Sequence, residues 1–207
     1  VGCTSIWKPS RNSYYSNYMI MKLMMEAGLP PGVINFIPGS GAEITEVALS
    51  NPDFAGVHFT GSTAVFQGLW QRIAEALPNL KGYPRIVGET GGKDFIVAHS
   101  DCDRQGLLVA LLRGAFEYQG QKCSAASRAY IPESVWDAIG NDLVSEVEKI
   151  KIGDCKDFTN FMTSVIDQRA FDKITGYIQR AKDNGNCEIV VGGNSNQETG
   201  WFIEPTI

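Results

Sequence analysis

The chain is predicted to be an α/β protein built on a parallel sheet, and three observations predict it. Short runs rich in β-branched and aromatic residues alternate with longer stretches of helical periodicity over the whole sequence. Glycine and proline close the helical stretches where stop signals belong. No internal repeat, low-complexity tract or flexible linker interrupts the alternation. Strands that alternate with helices imply parallel pairing through right-handed crossovers.

The elements follow in order. Residues 4–7 read as a strand and residues 13–27 as a helix, ended by Gly28 with Pro30-Pro31 beyond. Residues 33–37 form the next strand and 42–49 a short helix. Residues 56–60 are a strand, 63–77 a helix stopped by Pro78, and 85–88 a strand. The glycine pair Gly91-Gly92 permits a sharp change of direction and marks a boundary between residues 1–91 and 92–207. Beyond it, residues 94–98 are an apolar strand and 101–118 a long helix with Asp101 as its N-cap. Strand 127–131, helix 133–150 and helix 167–184 follow, the last closed by Gly185. Residues 188–191 and 201–203 are expected to be short strands.

Composition narrows the function classes. The 207 residues carry a net charge of -5, which argues against a nucleic-acid or polybasic membrane role. No apolar run approaches the ~20 residues that a membrane helix needs. The first residues are not signal-like, and Val1 in place of Met makes the chain look excised from a longer protein. The five cysteines are odd in number and lack C-x-x-C spacing, which disfavours a disulfide framework or a zinc site and fits a reducing compartment. His58 and His99 are far apart, so no metal site is expected.

Two segments stand out chemically. Gly120-Gln121-Lys122-Cys123-Ser124 is a polar loop carrying a thiol, with Lys122 expected to add local positive charge. Such a setting favours the thiolate, the nucleophilic form; the bland reading is an inert buried cysteine. Glu89-Thr90-Gly91-Gly92-Lys93 lies 34 positions upstream, counted from Glu89 to Cys123. A carboxylate at the C-terminal edge of a parallel sheet points at the usual ligand crevice. Partly buried there, Glu89 would serve as a general base that activates water; the bland reading is a solvated carboxylate. Phe59-Thr60-Gly61-Ser62 ends a strand and opens a helix, so the Ser62 hydroxyl and nearby N–H groups suit a pyrophosphate, or simply cap the helix. Lys8, in Trp7-Lys8-Pro9-Ser10, is placed to reach a ribose hydroxyl or phosphate, or to sit exposed. Pro38-Gly39-Ser40-Gly41 opens like a dinucleotide fingerprint but lacks the third glycine.

These motifs, in this order and with this 34-residue separation, resemble the aldehyde dehydrogenase superfamily along the whole chain. The resemblance implies an aldehyde-dehydrogenase-like fold. Residues 1–91 would be the C-terminal part of the NAD-binding domain, with its Rossmann-type parallel sheet, and 92–207 the N-terminal part of the α/β catalytic domain. The stretch from Phe116 to Ala125, together with Glu26 to Pro31 and Gly68-Leu69-Trp70, is similar to the subgroup that oxidises glutamate γ-semialdehyde in proline breakdown. Most of the superfamily has a glycine five positions after Gly61; Phe66 stands there, as in that subgroup.

The resemblance also implies roles. Cys123 is the nucleophile that forms a thiohemiacetal and then a thioester, and Glu89 activates the water that releases the acid. Trp7, Lys8, Thr60, Gly61, Ser62 and Thr90 contact NAD, Ser124 anchors the substrate carboxylate, and the Cys123 N–H is half of an oxyanion hole. An acidic residue that often follows the lysine-proline pair is replaced by Ser10-Arg11. The partner is a small aldehyde; the full-length protein is expected to be a homo-oligomer, in the cytoplasm or, for a eukaryotic source, the mitochondrial matrix. The oxyanion-hole asparagine falls upstream of Val1, and the second glutamate, oligomerisation strand and anchoring loop fall beyond Ile207, so weak or no activity is expected of these residues alone. An enzyme for another semialdehyde and a non-catalytic relative are the competing readings.

Overall fold

In the computed structural model, which describes residues 2–207, the chain divides into two units, Val1–Glu89 and Thr90–Ile207. Alternating strands and helices fill both, as the α/β class requires.

In the first unit, β1 (Ser5–Trp7) and β2 (Ile34–Phe36) run parallel, with Ser5 opposite Ile34 and Trp7 opposite Phe36. The intervening helix α1 (Tyr14–Glu26) is the crossover, closed by Gly28 at a φ of 99° that a side chain would resist. Helix α2 (Gly41–Leu49) starts at Ser40, whose hydroxyl accepts the Glu43 N–H. Strand β3 (Gly56–Gly61) pairs with β4 (Arg85–Thr90) across helix α3 (Thr63–Ala76). Glycine is needed at Gly56 because a Cβ there would lie 2.6 Å from the Arg85 carbonyl oxygen. Strand β4 runs two residues further than its apolar part predicts, so Glu89 and Thr90 lie within it. Leu49, Leu69 and Ile73 are buried, whereas Tyr15, Tyr18, Met19, Ile20, Leu23 and Met25 of α1 remain exposed.

The second unit holds the larger core. Strand β5 (Asp94–Val97) is parallel to β6 (Ala126–Tyr130), with an irregularity between Asp94 and Phe95. The Ala98 N–H extends the ladder to the Tyr130 carbonyl. Helix α4 (Arg104–Phe116) crosses between them and buries Leu107, Leu108, Leu111 and Phe116. Helix α5 (Glu133–Glu148) meets it with Val135, Ile139, Leu143 and Val147, one residue per four and therefore one stripe. Helix α6 (Gln168–Asp183) packs Phe171 against Val165 and Ile203.

Three expectations are corrected, and the strand expected over residues 201–203 has an unexpected partner. The N-cap of α4 is Asp103, which accepts the Gln105 N–H at 3.0 Å, while Asp101 pairs with His99 in the preceding turn. Helix α4 ends at Phe116, because Tyr118 and Gln119 take left-handed backbone angles that no α-helix continues. Residues 188–191 form no strand, although Val190 and Val191 both donate to the Ile207 carbonyl. The last strand, β8 (Phe202–Ile203), is antiparallel to β7 (Ser195–Asn196), which has no strand-like pattern in the sequence.

Candidate active site

Cys123 and Ser124 form the tip of a turn closed by the Ala125 N–H on the Lys122 carbonyl at 3.2 Å. Only Ala125 separates them from β6, so the parallel ladder with β5 fixes where the turn ends. Its other side is set by Gly92. A Cβ on Gly92 would collide with the Cys123 carbonyl oxygen and lie 2.5 Å from Asp94 Oδ2. The second glycine of the upstream motif is therefore there to let backbone meet backbone. Among the described residues, the Cys123 N–H donates to no main-chain carbonyl, which leaves it available to an oxyanion.

The turn is reached through an unusual backbone. Tyr118, Gln119 and Gly120 have φ values of 55°, 56° and 65°. Left-handed geometry costs an L-residue about 1–2 kcal/mol, so two such residues persist only if the surroundings hold them. Gln119 is held by its amide, which donates to the Thr163 hydroxyl at 2.7 Å. Gly120 has no room for a side chain, with the Ala115 carbonyl 2.8 Å from where a Cβ would be.

Lys122 does not supply the free positive charge expected of it. Its ammonium lies 2.6 Å from Glu117 Oε2, and Arg113 donates to the other oxygen of the same carboxylate. The Lys122 hydrogen bond and the Arg113 charge hold the Glu117 carboxyl below the ordinary glutamate range. Glu117 was missed from sequence, although its spacing four residues after Arg113 is a signal for an ion pair. Exposure does not single out Cys123 either, because Cys3, Cys155 and Cys187 are also exposed and all five thiols are free. What distinguishes Cys123 is its seat in a constrained turn.

In the first unit, Glu89 is exposed on β4 rather than partly buried, and Thr90 is half-buried. The position of Glu89 is set through Gly88. The Phe66 ring lies where a Gly88 side chain would go and stacks on Phe59 at 5.8 Å with 10° between planes. The Phe59 ring in turn covers Gly61, whose Cβ would lie 2.6 Å from it. One aromatic pair thus joins the Thr60-Gly61-Ser62 turn to the strand carrying Glu89. Ser62 caps α3, its hydroxyl accepting the Val65 N–H at 3.4 Å, so the capping reading is realised. Thr60, Gly61 and Ser62 are exposed at the start of a 14-residue helix, where N–H groups and the helix dipole fit a pyrophosphate.

Trp7, Lys8 and Pro9 leave β1 beside α2. The Trp7 ring packs edge-on to Phe36, the Lys8 stem passes 3.7 Å from a Cβ position on Gly41, and the Lys8 ammonium donates to the Pro9 carbonyl. Tyr14 bridges the same region, its hydroxyl bonding both the carbonyl and the N–H of Gly39. Lys8 is exposed at the end of β1, beside the first residue of α2.

Residues 1–207 match the aldehyde dehydrogenase family over their full length, and the chain belongs to that family. Among curated relatives it is 50% identical over 208 residues to the delta-1-pyrroline-5-carboxylate dehydrogenase of Agaricus bisporus and 49% identical to the mitochondrial one of Dictyostelium discoideum. It covers 38% of the length of each. Among solved structures, the Mycobacterium tuberculosis delta-pyrroline-5-carboxylate dehydrogenase bound with NAD matches with a TM-score of 0.95 at 48% identity, over 99% of this chain and 38% of that one. The Thermus 1-pyrroline-5-carboxylate dehydrogenase with bound NAD matches with a TM-score of 0.91 at 30% identity, over 100% of this chain and 39% of that one.

Proposed function

We propose that this chain carries the nucleophile, the hydrolytic base and part of the NAD site of an enzyme that oxidises glutamate γ-semialdehyde to glutamate. The observation that carries the reading is the constrained turn at Cys123, with its N–H turned to no carbonyl and Gly92 pressed against its backbone. The names and NAD-bound forms of the relatives support the substrate and cofactor.

In this reading the Cys123 thiolate adds to the aldehyde carbon, and its N–H stabilises the oxygen that becomes negative. NAD, when bound, supplies the hydride acceptor. Loss of hydride from the thiohemiacetal carbon leaves a thioester on Cys123. Glu89 takes a proton from water, the hydroxide adds to the thioester, and the C–S bond breaks to return the thiolate and release the acid. Ser62 with the N-terminus of α3 would hold the pyrophosphate, Lys8 with Trp7 the adenosine ribose, and Thr60, Gly61 and Thr90 the remainder. Ser124 would anchor the substrate α-carboxylate. The enzyme would work as a homo-oligomer, in the cytoplasm or, in a eukaryote, the mitochondrial matrix; because the chain spans 38% of the length of its relatives, full activity would need more than these residues.

The test is site-resolved alkylation of the chain with iodoacetamide, read by mass spectrometry. Cys123 is expected to react fastest of the five thiols and to be protected by glutamate γ-semialdehyde. Equal, slow reaction of all five would overturn the reading. NADH production by the chain alone is expected to be weak or absent.

A further inference from the structure

Glu117 stands between two cations at the foot of the Cys123 loop. Arg113, on the last turn of α4, donates to one carboxylate oxygen, and Lys122, the residue next to Cys123, donates to the other. The side chains are 60% (Arg113), 36% (Glu117) and 46% (Lys122) exposed, and ion pairs this open contribute little to stability. Their placement has a different consequence. The carboxylate bridges the end of α4 to the residue before the thiol, across the left-handed stretch Tyr118–Gly120. The ammonium nearest to Cys123 in sequence is thereby tied to a carboxylate, and its field is largely cancelled.

We propose that Glu117 is a positioning residue that sets how much of the Lys122 charge reaches the Cys123 thiol. The inference rests on the reading of Cys123 as the nucleophile. Charged groups at the turn include Arg113, Glu117 and Lys122 on this segment, Asp94 of β5, whose carboxylate sits at the Gly92 side, and Lys93, next to Gly92 in the chain. Of these, only Glu117 both touches Lys122 and is itself balanced by a second cation. The depressed proton affinity of Glu117 keeps it ionised throughout the range in which a thiol titrates, so the restraint is constant there.

The experiment is the pH profile of Cys123 alkylation by iodoacetamide in the 207-residue chain. Glu117→Gln keeps the size of the side chain but removes its charge and replaces one of its two acceptor oxygens with a donor. It is expected to move the profile a few tenths of a pH unit toward acid, because Lys122 is then unbalanced and the thiolate is favoured. Lys122→Gln removes the partner and leaves Glu117 charged; it is expected to move the profile the opposite way. Opposite shifts support the proposal, and an unmoved profile in either variant overturns it. A purely structural role would alter the melting curve, not the profile. If Cys123 is not the fastest thiol in the unaltered chain, it is the nucleophile assignment that fails; if it is fastest and the profiles coincide, only the role of Glu117 fails.

Discussion

The ring of Phe66 rests on the backbone of Gly88, one residue ahead of Glu89. A Cβ on Gly88 would overlap the Phe66 ring where it stands, and the Phe59 ring stacks against Phe66. Gly88→Ala is expected to destabilise the chain by about 1–3 kcal/mol, the usual cost of overpacking. Adding Phe66→Leu should recover part of that loss, because the two sites share one space. Urea denaturation followed by circular dichroism measures both; equal stability of Gly88→Ala and the unaltered chain would refute the contact.

Tyr118 carries left-handed strain that glycine does not feel. Tyr118→Gly is expected to stabilise the chain by about 0.5–1 kcal/mol, the relief outweighing the added freedom of the unfolded state. Gly120→Ala should do the reverse, costing about 1–2 kcal/mol, since both its φ and the Ala115 carbonyl oppose a side chain. Thermal melts of the two variants should bracket that of the unaltered chain.

Ser62 caps α3 through a long hydrogen bond. Ser62→Ala is expected to cost about 0.5–1 kcal/mol of stability, toward the low end for a cap. Asp103→Ala, with a 3.0 Å bond at the start of α4, should cost at least as much. A larger loss at Ser62 than at Asp103 in denaturant titrations would contradict the geometry.

Two carboxylates give stability a small dependence on acid. Glu117 is held below its ordinary range by Lys122 and Arg113, and Asp157 by the N–H and hydroxyl of Thr159. A group depressed on folding contributes its stability above its unfolded pKa and loses it as pH falls through its folded pKa. Stability should therefore decline below the ordinary carboxylate range, and Glu117→Gln with Asp157→Asn should flatten that decline. Melting temperatures between pH 6 and about 3 test this; an unchanged slope in the double variant would count against it.

The parts of the fold legible from sequence are those with a period. The stripe Val135, Ile139, Leu143, Val147 and the apolar run of β5 are regular enough to be recognised. The two-residue strands β7 and β8 are too short to carry a pattern, and the end of α4 was misplaced because nothing in Glu117-Tyr118-Gln119 announces a left-handed turn. Cys123, Glu89 and Ser62 were legible as candidates by residue type and motif. Their surroundings were not, because Glu117 cancels Lys122 through folded geometry and Phe66 reaches Gly88 across 22 residues. Glu89 shows the limit: its motif was visible, but its exposure was not.

The hydrogen bond from Gln119 to Thr163 joins residues 44 positions apart. During synthesis, when the chain emerges from its N-terminus, the cysteine turn is made well before the residue that holds its approach in place. The stretch leading to Cys123 is thus fixed by a non-local contact, from a residue that follows α5 in the chain. The left-handed approach to this thiol therefore gains its side-chain anchor only after residue 163 has been made.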